Sequence, residues 1–400
     1  MQTEYWKQSV SGPRILCVCS DEGIELFGSR GCSTHLREMS RAFKSLGCVV
    51  KLLVANCQGQ KDPRFDIEYE LVSPVRSKKL GYDLRKLLTN RRFLRRLREL
   101  IKQFKPDIIY ERYDLYASAA ADVASTRRIT HMLEVNAPLL EEMRRILHFP
   151  RLANLFQSRT FKKADLLIGV SDSICSMLRT ITPGGRVLLV ENGVNEDVFN
   201  TRVSGEEVRR QYGLNGKLVV GFTGSLRGWQ GVDLLLRAAS ILLSARDDVR
   251  FLVVGGGNNF PTYRQIAQDW GLLDKFLLVG PVPSTEVPSC IAASDVCVAP
   301  YAPSANFYVS PMKIREYVAM RKPIVASDLP QIAKTIRDNV DGLLARPGDE
   351  KDLASKIAVM LDDSALRDRL AKTAHERWAG KLSWLNCARR VLEATKKQGK

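Results

Sequence analysis

Residues 220–236 read Val220-Gly221-Phe222-Thr223-Gly224-Ser225-Leu226-Arg227-Gly228-Trp229-Gln230-Gly231-Val232-Asp233-Leu234-Leu235-Leu236. An apolar run ends in a glycine-rich loop, and a leucine-rich segment with helical spacing follows. Strand, loop and helix in that order form half of a βαβ unit, whose strands are covered on both faces.

The same alternation extends in both directions from this stretch. Upstream, the predicted strands are Ile15–Cys19, Val49–Ala55, Ile67–Val72, Asp107–Tyr110, His131–Val135, Leu166–Val170 and Val187–Val190. Downstream of Leu218–Phe222 they are Phe251–Val254, Phe276–Val279, Val296–Ala299, Pro323–Ala326 and Leu343–Ala345. Leu36, Met39, Ala42, Phe43 and Leu46 show the helical spacing between two of them. Two arrays in series predict an α/β protein of two Rossmann-like domains with parallel sheets facing a central cleft. The turn-forming Asn192-Gly193 sets the junction, giving domains 1–194 and 195–378. The basic segment 379–400 is expected to form a helix that packs back on the first domain.

Ligands of such sheets bind beyond the carboxyl ends of the strands, so the loops there carry the candidate site. In the first domain, small residues from Gly28 to Ser33 open a helix, and Gly31 leaves backbone N–H groups for an anion or simply follows a flexible turn. The sequence is not G-x-G-x-x-G, so no dinucleotide cofactor is indicated. In the second domain, Gly224, Ser225 and Arg227 occupy one loop, and Gly256 lies in the triple glycine that ends the next strand.

The densest signal is Asn306-Phe307-Tyr308-Val309-Ser310-Pro311-Met312-Lys313-Ile314-Arg315-Glu316-Tyr317-Val318-Ala319-Met320. Ser310 can cap a helix and Pro311 can fill its first turn. Lys313 then stands at the positive pole, suited to a diphosphate, and Glu316 follows one turn later, suited to the two hydroxyls of a ribose. An ordinary Lys–Glu helix pair explains the same spacing.

At these residues the chain resembles the family-4 retaining glycosyltransferases of the GT-B fold. Pro323-Ile324-Val325-Ala326-Ser327, Asp341-Gly342-Leu343-Leu344 with Pro347-Gly348-Asp349, Glu191-Asn192-Gly193-Val194-Asn195 with Phe199, and Ala164-Asp165 carry the rest of the resemblance. It implies that Glu316 binds the ribose of a nucleoside-diphosphate sugar. Ser310, Pro311, Met312 and Lys313 would face the diphosphate and sugar, Arg227 would add positive charge, and the turn at Val282 would border the base. Family frequency favours uridine, hence a UDP-sugar donor. The resemblance also implies that the C-terminal helix returns to the first domain.

Two positions depart from the family pattern. Tyr308 stands where a glutamate is common, and Gln230 where a lysine often precedes the glycine. Where many relatives place a histidine near the reacting sugar, this chain offers Asn136, with Glu134 and Glu141 nearby. Asn136, Arg227 and Lys313 are therefore the candidate catalytic residues. Of the four histidines, His35 begins a helix beside Gly31, while His131, His148 and His375 show no partner pattern. No Asp-x-Asp pair occurs, so no metal and no other cofactor is expected. Sugar transfer to a saccharide or lipid-linked acceptor follows from the resemblance. A nucleotide-sugar epimerase of the same architecture and a non-catalytic, partner-binding subunit are the alternatives.

The composition fits these readings. A formal net charge of +17 calls for an anionic partner. No helix-turn-helix, zinc or RNA-recognition pattern points to nucleic acid. Nine cysteines, mostly in apolar runs and without a C-x-x-C pair, read as reduced thiols in a cytoplasmic setting. Met1 to Arg14 lacks the apolar core of a secretory signal. Positive charge concentrates over 76–105, including Arg76, Lys78, Arg91, Arg95 and Arg98. Leu84, Leu87, Leu88, Leu94, Leu97, Ile101 and Phe104 recur beneath it. Either this basic amphipathic helix rests on an anionic membrane surface, or its stripe packs inward under a solvated face.

Overall fold

The computed structural model describes residues 12–62, 65–77, 79–304 and 307–396. Most of the N-terminal stretch read for a signal, together with Lys78, Asn306 and the last four residues, lies outside them. The chain divides into two compact units. The first runs to Gly193 and also takes in Tyr308–Ser310 and the segment from Trp384; the second comprises Val194–Phe307 and Pro311–Ser383. These limits differ by a few residues from 194/195 and 378/379, and the sequence pattern did not reveal that 308–310 groups with the first unit.

Strands β1 (Arg14–Cys19), β2 (Val49–Val54), β3 (Glu68–Leu71), β4 (Ile108–Arg112), β5 (Thr130–Val135), β6 (Leu166–Gly169) and β7 (Val187–Leu189) build the first sheet. Its order is β3-β2-β1-β4-β5-β6-β7, with every pair parallel. Helices α1 (Gly31–Ser45), α2 (Tyr82–Phe104), α3 (Ala119–Arg127), α4 (Leu139–Glu142), α5 (Pro150–Lys163) and α6 (Asp172–Ile181) connect the strands. The strands are apolar because helices cover both faces. Edge strand β3 is the exception: its Glu68 and Glu70 pair with Lys51, and Glu70 also pairs with Arg96, which keeps the edge charged.

In the second unit, β8 (Leu218–Thr223), β9 (Val249–Val254), β10 (Phe276–Gly280), β11 (Val296–Ala299), β12 (Ile324–Ser327) and β13 (Leu343–Ala345) run parallel in the order β10-β9-β8-β11-β12-β13. Helices α7 (Glu206–Gln211), α8 (Val232–Ala245), α9 (Phe260–Asp269), α10 (Val287–Ala292), α11 (Met312–Ala319), α12 (Pro330–Ala333), α13 (Glu350–Asp362) and α14 (Ser364–Trp378) surround it. The strand order reverses between β1 and β4 and between β8 and β11, and a crevice opens beyond the strand ends at such points.

The closing helix α15 (Trp384–Lys396) packs on α1 within the first unit, as the resemblance implied. The Asn192-Gly193 turn is shaped by it. A Cβ on Gly193 would stand 2.7 Å from Trp384, so only glycine admits this approach.

Most of the α2 stripe packs inward: Leu97, Ile101 and Phe104 are buried, together with Phe93 and Leu100, among residues of β1 and α3, and Leu94 packs against them, whereas Leu84 near the helix start is exposed. Arg91, Arg95 and Arg98 stay exposed on its other side.

Helix α11 ends in a Schellman turn. Lys322 N–H reaches Tyr317 O at 2.9 Å, and exposed Arg321 takes the left-handed position at φ 51°. A side chain there costs energy that glycine avoids. Arg321→Gly is expected to stabilise the protein by about 1 kcal/mol, raising Tm by roughly 2–4 °C in a thermal melt.

Candidate functional site

In the second unit, β8 delivers the glycine-rich loop. Gly224, at φ 142°, follows its last residue in a backbone conformation that side chains rarely adopt, and a Cβ there would crowd Lys313 Nζ at 2.9 Å. Ser225 is half-buried behind it, and Leu226 N–H donates to Gly256 O at 2.9 Å, tying the two predicted loops together. Gly231, at φ 72°, is pressed against Pro300 O, which a Cβ would meet at 1.6 Å. Trp229 stacks on Tyr301, with centroids 5.8 Å apart and planes 8° from parallel. Arg227 is exposed, with no ion pair among the described residues. Val282 is half-buried just past the end of β10 and packs on an apolar cluster.

Lys313 is 6% exposed. Its Nζ donates to Gln230 Oε1 at 2.7 Å and sits 3.7 Å from the Phe222 ring centroid and 5.3 Å from that of Tyr301. Among the described residues it forms no salt bridge. Burial pushes its amine well below the ordinary lysine value, and Glu316 offsets this only in part. Glu316 is half-buried, and its carboxylate makes no hydrogen bond among the described residues. Burial pushes it up to about 7 against the pull of Lys313. The two side chains therefore do not form the exposed helix pair that their spacing also allowed. Spacing held no sign of the ring pair Phe222 and Tyr301, because neither stands near Lys313 along the chain.

The helix start differs from the expectation. Pro311 is the N-cap, extended at ψ 112°, and the first turn opens at half-buried Met312 with no side-chain cap. Ser310 cannot cap because it is bound elsewhere. Its hydroxyl accepts Asn192 N–H at 3.0 Å and its carbonyl accepts Asn192 Nδ2 at 2.7 Å, both within the first unit. The N–H groups of Met312, Lys313 and Ile314 thus have no partner from a capping side chain, the arrangement that receives an anion.

In the first unit, a second polar cluster lies at the carboxyl ends of β4 and β5. His35 Nε2 lies in hydrogen-bond contact with Glu134 Oε2 at 2.8 Å, and its Nδ1 with Asn192 Oδ1 at 2.8 Å. Asn192 in turn donates its Nδ2 to Ser310 O, so the His35 ring is held between the Glu134 carboxylate and the Asn192 amide. Burial opposes charge on Glu134, but His35, Arg112 and the Tyr110 hydroxyl outweigh it and hold the carboxyl at about 2. Asn136, half-buried, donates to the same carboxylate. Gly31 opens α1 exposed and without a side-chain cap. Arg112 and Tyr110 were missed in the sequence; the pairing of Arg112 with Glu134 across adjacent strands appears only once the register is known. Of the two departures from the family, Gln230 is the partner of Lys313, and Tyr308 donates its hydroxyl to Glu142.

The Glu316 carboxyl predicts a pH response. A carboxyl raised on folding contributes its full stability below the unfolded value of 4.5 and loses it as pH rises through about 7. Glu316→Gln is therefore expected to hold its Tm better than the wild type between pH 5 and 8, by roughly 2–4 °C at the upper end. Parallel Tm–pH curves for the two proteins would contradict the assignment.

The family described as "Glycosyltransferase Family 4" matches residues 29–198, and "Glycosyl transferases group 1" matches 217–363. An α-D-kanosaminyltransferase of Streptomyces kanamyceticus is 28% identical over 184 residues, 46% of this chain and 47% of its own length. A D-inositol 3-phosphate glycosyltransferase of Thermobispora bispora is 28% identical over 223 residues, 53% of this chain and 50% of its own. The chain thus spans about half the length of the curated relatives it matches. Among solved structures, sucrose-phosphate synthase of Thermosynechococcus elongatus aligns with a TM-score of 0.74 at 18% identity, over 96% of this chain and 99% of its own. Anabaena HepE, solved with UDP-glucose, aligns at 0.73 and 19%, over 96% and 100%. At such identities these likenesses speak for the fold. By the sequence of both halves and the build of both units, the chain belongs to the family-4, group 1 glycosyltransferases of the GT-B fold.

Proposed function

We propose that this chain is a retaining glycosyltransferase that takes a sugar from a nucleoside diphosphate, with UDP favoured, and passes it to a saccharide or lipid-linked acceptor. The observation that carries the reading is the pair Lys313 and Glu316: a buried amine with one amide partner, and a carboxylate with no hydrogen-bond partner among the described residues. A ligand that brings an anion to Lys313 and two hydroxyls to Glu316 completes both, and a nucleoside diphosphate carries both groups. The relatives support sugar transfer, and HepE was crystallised in complex with UDP-glucose.

In this reading the diphosphate supplies the counter-charge that the protein itself withholds from Lys313. Gly224 keeps the loop low enough for the phosphates to reach the amine and the first-turn N–H groups of α11. As the glycosyl–phosphate bond breaks, negative charge grows on the leaving diphosphate; Lys313, those N–H groups and Arg227 stabilise it. Positive character grows on the sugar, and Asn136, fixed through Glu134, is assigned the sugar-side role that the resemblance implies. Ser310, Pro311, Met312, Ser225, Gly256, Val282 and Gly31 keep the donor-binding roles expected of them. Transfer is proposed to need no metal.

Lys313→Ala and Glu316→Ala are each expected to lower kcat/KM for the donor by about 2–4 kcal/mol. Thermal shifts across nucleoside diphosphates and their sugar conjugates identify the base and sugar, since bound ligand raises Tm by mass action. Wild-type turnover in both variants would refute the site, and activity lost to a chelator and restored by manganese would refute metal independence.

A further inference from the structure

The glycine-rich loop after β8 closes in a single 3-10 turn, Gly228–Gln230, whose middle residue is Trp229. Successive residues of such a turn point about 120° apart, so neighbours diverge. Gln230 turns inward, where its amide oxygen accepts from Lys313 Nζ at 2.7 Å. Trp229 turns outward and is 39% exposed. Its backbone is nonetheless fixed: Trp229 O accepts Ala302 N–H at 3.1 Å, and Gly231 N–H closes the turn on Gly228 O at 3.1 Å.

The indole is fixed as well. Buried Tyr301 covers one of its faces in the near-parallel stack. Tyr301 is wedged in turn by Phe307, with centroids 5.1 Å apart, and Lys313 Nζ stands 5.3 Å from its ring. The Trp229 Nε1–H has no hydrogen-bond partner among the described residues. Trp270, at the end of α9, is also exposed, but among the described residues it stacks on no ring. Trp229 therefore presents a bare aromatic face and an N–H at its edge, both held rigid, one ring away from the Lys313 amine. A pyranose ring matches that combination: its C–H face lies on the indole and a hydroxyl at its rim accepts the N–H. Because the indole is already immobilised, such a contact costs it no further side-chain entropy. A protein partner would need a wider apolar surface, whereas the exposed neighbours are Arg227, Gly228, Pro303 and Ser304.

We propose that the outer face of Trp229 is a sugar platform at the rim of the Lys313 site, receiving the apolar face of a pyranose ring from one of the two substrates. The inference rests on the nucleotide-sugar reading of Lys313 and Glu316, and it adds to that reading a residue that ranks sugars.

Calorimetric titrations of the full chain pair each nucleoside diphosphate with a sugar conjugate: UDP with UDP-glucose, GDP with GDP-mannose, ADP with ADP-glucose. They are run on the wild type, Trp229→Ala and Trp229→Phe, with thermal melts to check that the variants are folded. A second arm titrates methyl glucoside and maltose into protein saturated with the diphosphate that binds. If the ring is the donor's, Trp229→Ala weakens the conjugate by about fivefold and leaves the bare diphosphate unchanged. If it is the acceptor's, the glycosides lose that factor and the conjugate does not. Trp229→Phe retains most of the affinity in either case. Equal loss for the bare diphosphate and its conjugate overturns the proposal in favour of a nucleobase platform. The absence of any sugar-specific difference in both arms overturns it outright. Lys313→Ala in the same titrations separates the two inferences. Should it weaken the diphosphate while Trp229→Ala alters no sugar, the platform alone fails; a wild type that binds no diphosphate removes the nucleotide-sugar reading and the platform together.

Discussion

A parallel sheet covered on both faces has no place for polar chemistry except beyond the ends of its strands. That constraint orders both units. The interior strands are built mainly of apolar side chains, and the functional groups gather where the backbone leaves the sheet: Gly224 after β8, Gly256 after β9, and Glu134 and Asn136 at and beyond the end of β5. The penalty for a charge that strays below this level appears in the two shifted groups. Glu134 keeps its charge because the His35 ring, an arginine and a phenol surround it, whereas Lys313 meets an amide oxygen and two ring faces.

These two buried sites embody opposite electrostatic designs. Around Glu134 the protein supplies the partners itself, so the cluster is complete and rigid. Around Lys313 and Glu316 it leaves two ionisable groups short of partners among the described residues, which costs stability and favours whatever completes them. Gln230 fits this contrast. A second lysine at that position would repel Lys313, while the glutamine oxygen accepts from it and holds it beneath Gly224.

The strands were legible because unbroken apolar runs between glycine-rich turns have few other solutions; Ile15–Cys19 and Val296–Ala299 fall within a residue of the observed limits. The loops that carry the candidate site were legible for the same reason, since each follows a strand end. What pattern could not show was side-chain partnership across the fold. Ser310 looked like a cap because serine before proline commonly is one, but Asn192, far away in sequence, had claimed its oxygens. The α2 stripe looked equally suited to lipid or to core, and only its packing on β1 and α3 decides between them.

The position of α15 has a consequence for how the chain comes to be folded. The first unit is discontinuous: its sheet is complete by Val187–Leu189, yet the helix that covers α1 and presses Trp384 against Gly193 and edge-on to His35 follows the whole second unit in the chain. During synthesis, the whole intervening unit must leave the ribosome before that face of α1 can be sealed. Until then the face waits uncovered, exposed to chaperones and to wrong partners.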